Sequence, residues 1–264
     1  MTFAQLLAAL ETSADNTVII PADWAQGRAG YGGLVAALIY DEMRRMAGAD
    51  RPVRSLAITF VGPAQPGEPL QVESQILRQG KAVSQMLGMA KQDGNVVCII
   101  QGSFGAGRVS QVDIAALPAP VVKAPDDCRA MPYIKNITPE FIKHFDIRLG
   151  FGDFPFSNSQ AREHGGWMRF KTDEGDIHEA HLLGLVDVWP PAVLPLLKER
   201  APASSLTWTI EFVQPVPDIG NTEWLLYKAD IEHARDGYGH TAASVWRQDG
   251  TLVAISRQTI TVFA

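Results

Sequence analysis

The chain has 264 residues, of which 46% are hydrophobic and 20% charged, a balance typical of a folded globular protein rather than a disordered one. Its 23 basic and 29 acidic residues give a formal net charge of −6, and no long basic run is present, which argues against nucleic-acid binding. Cys98 and Cys128 are too few for a disulfide framework or for a zinc site built on paired cysteine motifs.

The chain begins with an amphipathic pattern. Phe3, Leu6, Leu7 and Leu10 fall on one face of a predicted helix, and the segment lacks the basic start and apolar core of a secretory signal. No stretch approaches the roughly 18 consecutive apolar residues that a membrane-spanning helix needs. We therefore expect no membrane span and a cytoplasmic location.

Two features of the chain recur at a nearly constant offset. Residues 56–63 and 208–215 both end in Phe-Val-x-Pro, 152 positions apart. Gln-Asp-Gly joins two strand-like runs at 92–94 and again at 248–250, 156 positions apart. Asp-Gly between apolar runs is a strong hairpin signal, and the preserved order predicts a duplicated chain.

Each copy is predicted to have one helix followed by four strands, and the second copy has one further strand, 163–172, before its helix. The first helix is predicted from Gly33 to Met43 and is apolar almost all round, as expected of a buried helix. The second is predicted over about 176–199, where Pro190-Pro191 must end or kink it. A further helix start is predicted at Thr138, followed by Pro139. The strands are predicted over 53–62, 68–79, 82–92, 95–106, 163–172, 204–214, 222–233, 238–248 and 251–263.

These patterns predict an α+β chain made of two tandem units, each a helix packed on an antiparallel sheet. The proposed units cover residues 1–107 and 133–264. The proline-containing segment 108–132 is predicted to be the linker between them.

Asp187 is the one acidic residue between His181 and Trp189, inside the second predicted helix. Burial would raise its pKa, which suits a general base, whereas a solvent-facing position or a helix cap would give it a structural role. The aligned position in the first helix is Ala36, so we expect one site per chain.

Several segments carry a resemblance to a known family. These are the leucine- and glycine-containing helix around Asp187, the segment 205–212, the Glu-Trp-Leu-Leu-Tyr run at 223–227 and Gln258 after the second Asp-Gly hairpin. Together they resemble the double-hotdog acyl-CoA thioesterases of the bacterial thioesterase II type. The family's Asp-His pair is replaced here by Thr207-Trp208.

The resemblance implies a double-hotdog fold and an active site formed by Asp187, Ser205 and Gln258. Strand alternation places Thr207 on the same face as Ser205, so Thr207 remains an alternative hydroxyl. Asp187 would accept a proton from water, while Ser205 and Gln258 would hold that water by hydrogen bonds.

The implied reaction hydrolyses an acyl-CoA to the free acid and CoA, without a metal or redox cofactor. Gly32 and Gly33 open the first helix, where free amide N–H groups could bind the thioester oxygen, although a tight turn explains the glycines equally well. Lys or Arg must bind the CoA phosphates, and Arg54, Arg78, Lys81 and Arg235 are candidates with no preference over the other basic residues.

Two alternatives stay open. A non-catalytic hotdog module would bind acyl thioesters or a protein partner, and in it Asp187 would face solvent or Trp189 or Trp208 would fill the pocket. A hotdog hydratase would need an Asp/His dyad, for which neither half has a convincing motif. Because exposed strand edges in such units are commonly covered by pairing, we also expect a homodimer.

Overall fold

The computed structural model describes all 264 residues. Its three α-helices are α1 (Phe3–Glu11), α2 (Gly32–Ala47) and α3 (Glu179–Val186). The fourteen strands are β1 (Thr17–Ile19), β2 (Ala25–Gln26), β3 (Ala29–Gly30), β4 (Val53–Phe60), β5 (Pro69–Gln79), β6 (Val83–Gln92), β7 (Asn95–Gly105), β8 (Arg129–Ala130), β9 (Phe145–Phe151), β10 (Glu163–Phe170), β11 (Ala203–Phe212), β12 (Leu225–Arg235), β13 (Tyr238–Arg247) and β14 (Leu252–Val262).

Twelve of the strands form one antiparallel sheet, in the order β1-β5-β6-β7-β4-β11-β14-β13-β12-β10-β9-β8. The first five strands in this order, from β1 to β4, are followed by five strands of the other half, from β11 to β10, in the reverse arrangement. In this arrangement β4 corresponds to β11, β7 to β14, β6 to β13, β5 to β12 and β1 to β10. The two halves meet at the β4–β11 seam, where Thr59 pairs with Thr207 and Ile58 with Trp208. The predicted repeat therefore corresponds to two copies of one strand arrangement that share a continuous sheet.

The long helix α2 packs on β5, β6 and β7 and also contacts α3 from the other half. Its apolar side chains are buried almost all round, including Leu34, Leu38 and Ile39. Each such side chain contributes roughly 1.5–3 kcal/mol when it is fully buried, so the helix is a main part of the shared core. A helix against an antiparallel sheet, present twice, is the architecture that the sequence predicts.

The amphipathic helix predicted at the start of the chain is confirmed as α1. Phe3, Leu6, Leu7 and Leu10 are all buried. Thr2 caps the helix, since its hydroxyl accepts a hydrogen bond from the Gln5 amide and the Gln5 side chain accepts one from the Thr2 amide. None of the helices has the length and apolar character needed to cross a lipid bilayer.

The prediction of a helix over 176–199 is wrong in its extent, because α3 has only eight residues. His178 caps its start, with Nδ1 accepting a hydrogen bond from the Ala180 amide at 3.3 Å. The helix ends at Asp187, which is its C-cap, and Pro190-Pro191 prevents its continuation. Asp187 therefore stands at a helix end rather than within a helix.

The helix start predicted at Thr138 is only partly correct, because the helical segment that follows is a short 3₁₀ helix and Thr138 does not cap it. The Thr138 hydroxyl accepts a hydrogen bond from the Ile134 amide at 2.8 Å, and a short 3₁₀ helix, Glu140–His144, follows without a side-chain cap. The nine predicted strands correspond to β4–β7 and β10–β14, whereas the sequence patterns missed the short strands β1, β2, β3 and β8 and the longer β9.

Candidate active site

The end of α3 meets the beginning of α2, and this junction positions Asp187. Tyr31, the residue before α2, donates a hydrogen bond from Oη to the Gly184 carbonyl at 2.6 Å. Its ring is stacked on Phe141, with ring centroids 4.1 Å apart. A Cβ atom at Gly33 would lie 2.9 Å from the Leu183 carbonyl oxygen, so a glycine is needed for the two helices to approach this closely.

The Asp187 carboxylate has polar partners from both halves of the chain. Gln258 on β14 donates a hydrogen bond from Nε2 to Asp187 Oδ1 at 3.1 Å. The backbone N–H of Gly33, in the first turn of α2, lies close enough to the carboxylate to lower its pKa. A Cβ atom at Gly32 would lie 3.0 Å from Asp187 Oδ2, so this glycine leaves the space beside the carboxylate open.

Burial raises the pKa of Asp187 from 3.8 to about 7, while the hydrogen bonds from Gln258 and Gly33 act in the opposite direction. The side chain is largely surrounded by protein but keeps part of its surface on a cavity that opens to the outside. Near neutral pH the carboxyl group is therefore close to half-ionised, and it can both accept and return a proton.

This cavity has a volume of about 400 Å³ and is lined by residues of both repeats. Asp187, Ser205 and Gln258 all line it, as the sequence predicts, and so does Gly32. Its buried lining is otherwise mostly apolar. It includes the thiol of Cys98, whose pKa burial raises to about 12, so this group stays protonated and uncharged.

A β-bulge separates the two candidate hydroxyls. Along β14, Ser205 pairs with Ile260 and Thr207 pairs with the very next residue, Thr259. The extra residue in β11 is Leu206. Because residues opposite one another on antiparallel strands lie on the same face, this bulge places Ser205 and Thr207 on opposite faces. The expectation that alternation puts them on one face is wrong.

The consequence is that only one of the two hydroxyls belongs to the cavity. Ser205 lies on the same sheet face as Gln258 and lines the cavity with it. Thr207 is exposed on the other face and is not part of the lining. The structure therefore places Asp187, Gln258 and Ser205 on one cavity and leaves Thr207 outside it.

The two tryptophans that could close the cavity do not fill it. Trp208 is fully buried outside the lining, and its indole N–H donates to Ser256 Oγ at 2.9 Å. Trp189 does line the cavity, but as a wall, held by stacking on Tyr227 with ring centroids 5.6 Å apart. Neither tryptophan therefore blocks the cavity, as the non-catalytic module would require.

The first repeat has no polar side chain at the strand position that corresponds to Gln258. Gly102 pairs with Leu56 as Gln258 pairs with Trp208, so Gly102 stands where the second repeat has its glutamine. A Cβ atom at Gly102 would lie 2.7 Å from Met43 Cε, which shows that the methionine occupies this space.

The helix of the first repeat likewise carries no carboxylate at the aligned position, Ala36. The next turn of α2 bears buried Tyr40, which stacks with Phe104 at a centroid separation of 6.3 Å. These replacements agree with the prediction of one site per chain.

Two residues of the site region were missed from the sequence. Tyr31 carried no signal beyond its place next to Gly32, and Arg28 was not among the proposed phosphate-binding cations. Arg54, Arg78, Lys81 and Arg235 do not line the cavity, whereas Arg28 does. Arg54 instead donates to the Gly105 carbonyl at 2.8 Å.

The raised pKa of Asp187 predicts a pH-dependent cost to stability. The folded chain keeps this proton between about pH 4 and 7 while the unfolded chain has lost it, so the contribution of Asp187 becomes less favourable as pH rises through that range. The free energy of unfolding of Asp187→Asn relative to wild type should therefore increase between pH 5 and pH 8, by roughly 1–3 kcal/mol. Urea unfolding at the two pH values measures this, and an unchanged difference would contradict it.

Comparison with known proteins identifies the family. The model of the acyl-CoA thioesterase N-terminal domain matches residues 20–105, and the model of the C-terminal domain matches 125–262. Acyl-CoA thioesterase 2 of Haemophilus influenzae is 23% identical over 251 residues, which cover 86% of this chain and 85% of the relative.

Solved structures confirm the fold. A hot dog fold protein of unknown function from Alicyclobacillus acidocaldarius superposes with a TM-score of 0.80 at 25% identity, covering 94% of this chain and 92% of the other. An acyl-CoA thioesterase II from Mycobacterium marinum gives a TM-score of 0.69 at 21% identity, with 93% and 91% covered. The chain is a double-hotdog protein, and it belongs to the acyl-CoA thioesterase family.

Proposed function

We propose that this chain hydrolyses acyl-CoA thioesters with a water molecule activated by Asp187 and held by Gln258 and Ser205. The observation that carries the proposal is the hydrogen bond between Gln258 and Asp187 at an open cavity, with the carboxyl pKa raised to about 7. The activity follows from the family. The roles of the three residues are inferred from their positions.

In the first step, Asp187 takes a proton from water as the water oxygen attacks the thioester carbon. Gln258 and Ser205 can each donate and accept hydrogen bonds, so they can orient this water beside the carboxylate. The carbonyl oxygen becomes an oxyanion in the tetrahedral intermediate. In the second step the carbon–sulfur bond breaks, and the leaving thiolate takes the proton from Asp187, giving the free acid and CoA.

The oxyanion would be stabilised at the beginning of α2. Of the two glycines there, Gly32 lines the cavity and Gly33 does not, so Gly32 is the candidate donor. The Gly32 amide lies at the first position of the helix and makes no hydrogen bond to the protein backbone. Free N–H groups at a helix start carry partial positive charge and can receive an oxyanion.

We extend the proposal to a cytoplasmic homodimer. Both cysteines are free thiols, as expected in a reducing compartment. The edge strands β1 and β8 have only three and two residues, so edge pairing gives little reason for dimerisation. A stronger reason is that five large apolar side chains between 109 and 121 are at least 73% exposed: Val109, Val112, Ile114, Leu117 and Val121.

The catalytic role of Asp187 predicts a loss of activity without a loss of fold. Asp187→Asn should lower kcat by about 10²–10⁴-fold, because the amide cannot accept the water proton. Wild-type activity should rise with pH around a midpoint near 7, as Asp187 ionises. Thiol release from acyl-CoAs of several chain lengths measures both.

A matched control for this substitution is Glu211→Gln. Burial also raises the pKa of Glu211, but this residue lies outside the cavity lining. Its variant should keep wild-type kcat. Full activity in Asp187→Asn would disprove the proposed base, and an inactive wild type would leave the binding module as the better interpretation.

The bulge in β11 predicts different effects for the two neighbouring hydroxyls. Ser205→Ala should lower kcat by about tenfold, since losing one hydrogen bond to the reacting water costs on the order of 1.4 kcal/mol. Thr207→Ala should keep wild-type kcat, because Thr207 faces away from the cavity. Steady-state kinetics of the two variants decide this, and the reverse result would assign the hydroxyl role to Thr207.

The proposed dimer depends on the apolar segment between 109 and 121. Size-exclusion chromatography with light scattering should give twice the chain mass for the wild type. A Val112→Ser, Ile114→Ser double variant should shift toward the monomer, because it removes apolar area from the contact. Leu77→Ser, at an exposed apolar position on β5, is the control. A monomeric wild type would refute the dimer.

A further inference from the structure

Arg28 is the only Lys or Arg among the residues that line the active-site cavity, and Asp187 is the only acidic residue among them. Arg28 occupies the turn of the β2–β3 hairpin, next to Gly27. Its side chain is exposed and forms no ion pair or hydrogen bond within the protein. A guanidinium at the edge of an active site, without a partner in the chain, is free to bind an anionic part of the substrate.

The hairpin is fixed to the cavity wall rather than hanging free. The amide of Gly30 donates to the Ala64 carbonyl, and the amide of Tyr31 donates to the Trp24 carbonyl at 2.9 Å. Trp24 is fully buried and stacked on His144, with ring centroids 3.9 Å apart. Arg28 is therefore held a few residues before Gly32, the glycine that lies beside the Asp187 carboxylate.

Polarity changes along the cavity from the rim to the interior. Arg28, Gln26 and Ser204 are exposed at the rim. The interior is lined by buried apolar side chains such as Val35 and Val97. An amphipathic thioester fits this gradient in one direction only, with its acyl chain inside and its polar carrier at the rim.

We propose that Arg28 binds the phosphate groups of the carrier half of the thioester at the cavity rim. The inference rests on the proposed function and adds to it the residue that recognises the carrier. Phosphate suits the site, because a guanidinium can form two parallel hydrogen bonds to phosphate oxygens. The charge also matters for capture, since the chain has a net charge of −6 and the carrier is an anion.

The contact is remote from the reacting carbon, so it should act on substrate capture rather than on chemistry. With butyryl-CoA, Arg28→Ala should raise KM about tenfold and leave kcat within about twofold. With butyryl-pantetheine, which has no phosphate, the variant and wild type should have the same KM. Arg78→Ala, at an exposed arginine of β5 outside the cavity, should match wild type with both substrates.

Butyryl-4′-phosphopantetheine then separates the two sources of phosphate. A KM effect that persists with this substrate assigns Arg28 to the phosphate next to pantetheine, and an effect seen only with butyryl-CoA assigns it to the nucleotide. Either result supports the proposal. It is overturned if Arg28→Ala leaves the KM for butyryl-CoA unchanged or raises the KM for butyryl-pantetheine equally.

Calorimetry with CoA itself keeps this test separate from the proposed catalytic mechanism. Arg28→Ala should weaken CoA binding about tenfold, while Asp187→Asn should leave it near wild type. If Asp187→Asn proves fully active and Arg28→Ala still weakens CoA binding, the mechanism fails and the binding site stands. Equal CoA affinity in Arg28→Ala and wild type would refute the site whatever the outcome for Asp187.

Discussion

The candidate active site depends on one close approach, in which the end of α3 lies against the beginning of α2. The approach is possible because Gly33 has no Cβ atom to strike the Leu183 carbonyl, and the Tyr31 hydroxyl fixes it by bonding to Gly184. It places a carboxylate at the end of one helix beside the free amides at the start of another. The start of α2 favours negative charge, whereas burial opposes it. The balance leaves the pKa of Asp187 at about 7, so the same packing that joins the two helices also sets the acidity of the proposed base.

Local patterns predicted most of the fold because they reflect local physics. Asp-Gly turns and strand alternation identify hairpins, and the repeated order of these signals reveals the duplication. The errors occur where distant contacts decide the structure. The segment after Val186 has the apolar residues expected of a buried helix, yet Pro190-Pro191 stops the helix. Tertiary packing instead buries the non-helical residues Val188, Trp189, Ala192 and Val193. Strands as short as β1 and β8 exist only because a neighbouring strand pairs with them, and so no periodicity of their own marks them.

The residues of the candidate site also differ in whether the sequence alone could predict them. Asp187 stood out as a carboxylate in an apolar helix, and Ser205 and Gln258 followed from the family resemblance. The choice between Ser205 and Thr207 could not be made from the sequence, because alternation assumes a regular strand and the bulge at Leu206 breaks it. Arg28 was not found for a related reason. Its significance lies in being the only Lys or Arg on one cavity wall, and that depends on which loops the fold brings together rather than on any local motif.

The two repeats contribute different kinds of groups to one site. The second repeat supplies the side chains Asp187, Ser205 and Gln258, while the first supplies backbone amides at the start of α2 and the hairpin that carries Arg28. The reciprocal arrangement is absent, because Met43 fills the space beside Gly102 where a second glutamine would stand. Neither repeat contains a complete site by itself, so the proposed chemistry requires the β4–β11 seam and the α2–α3 contact.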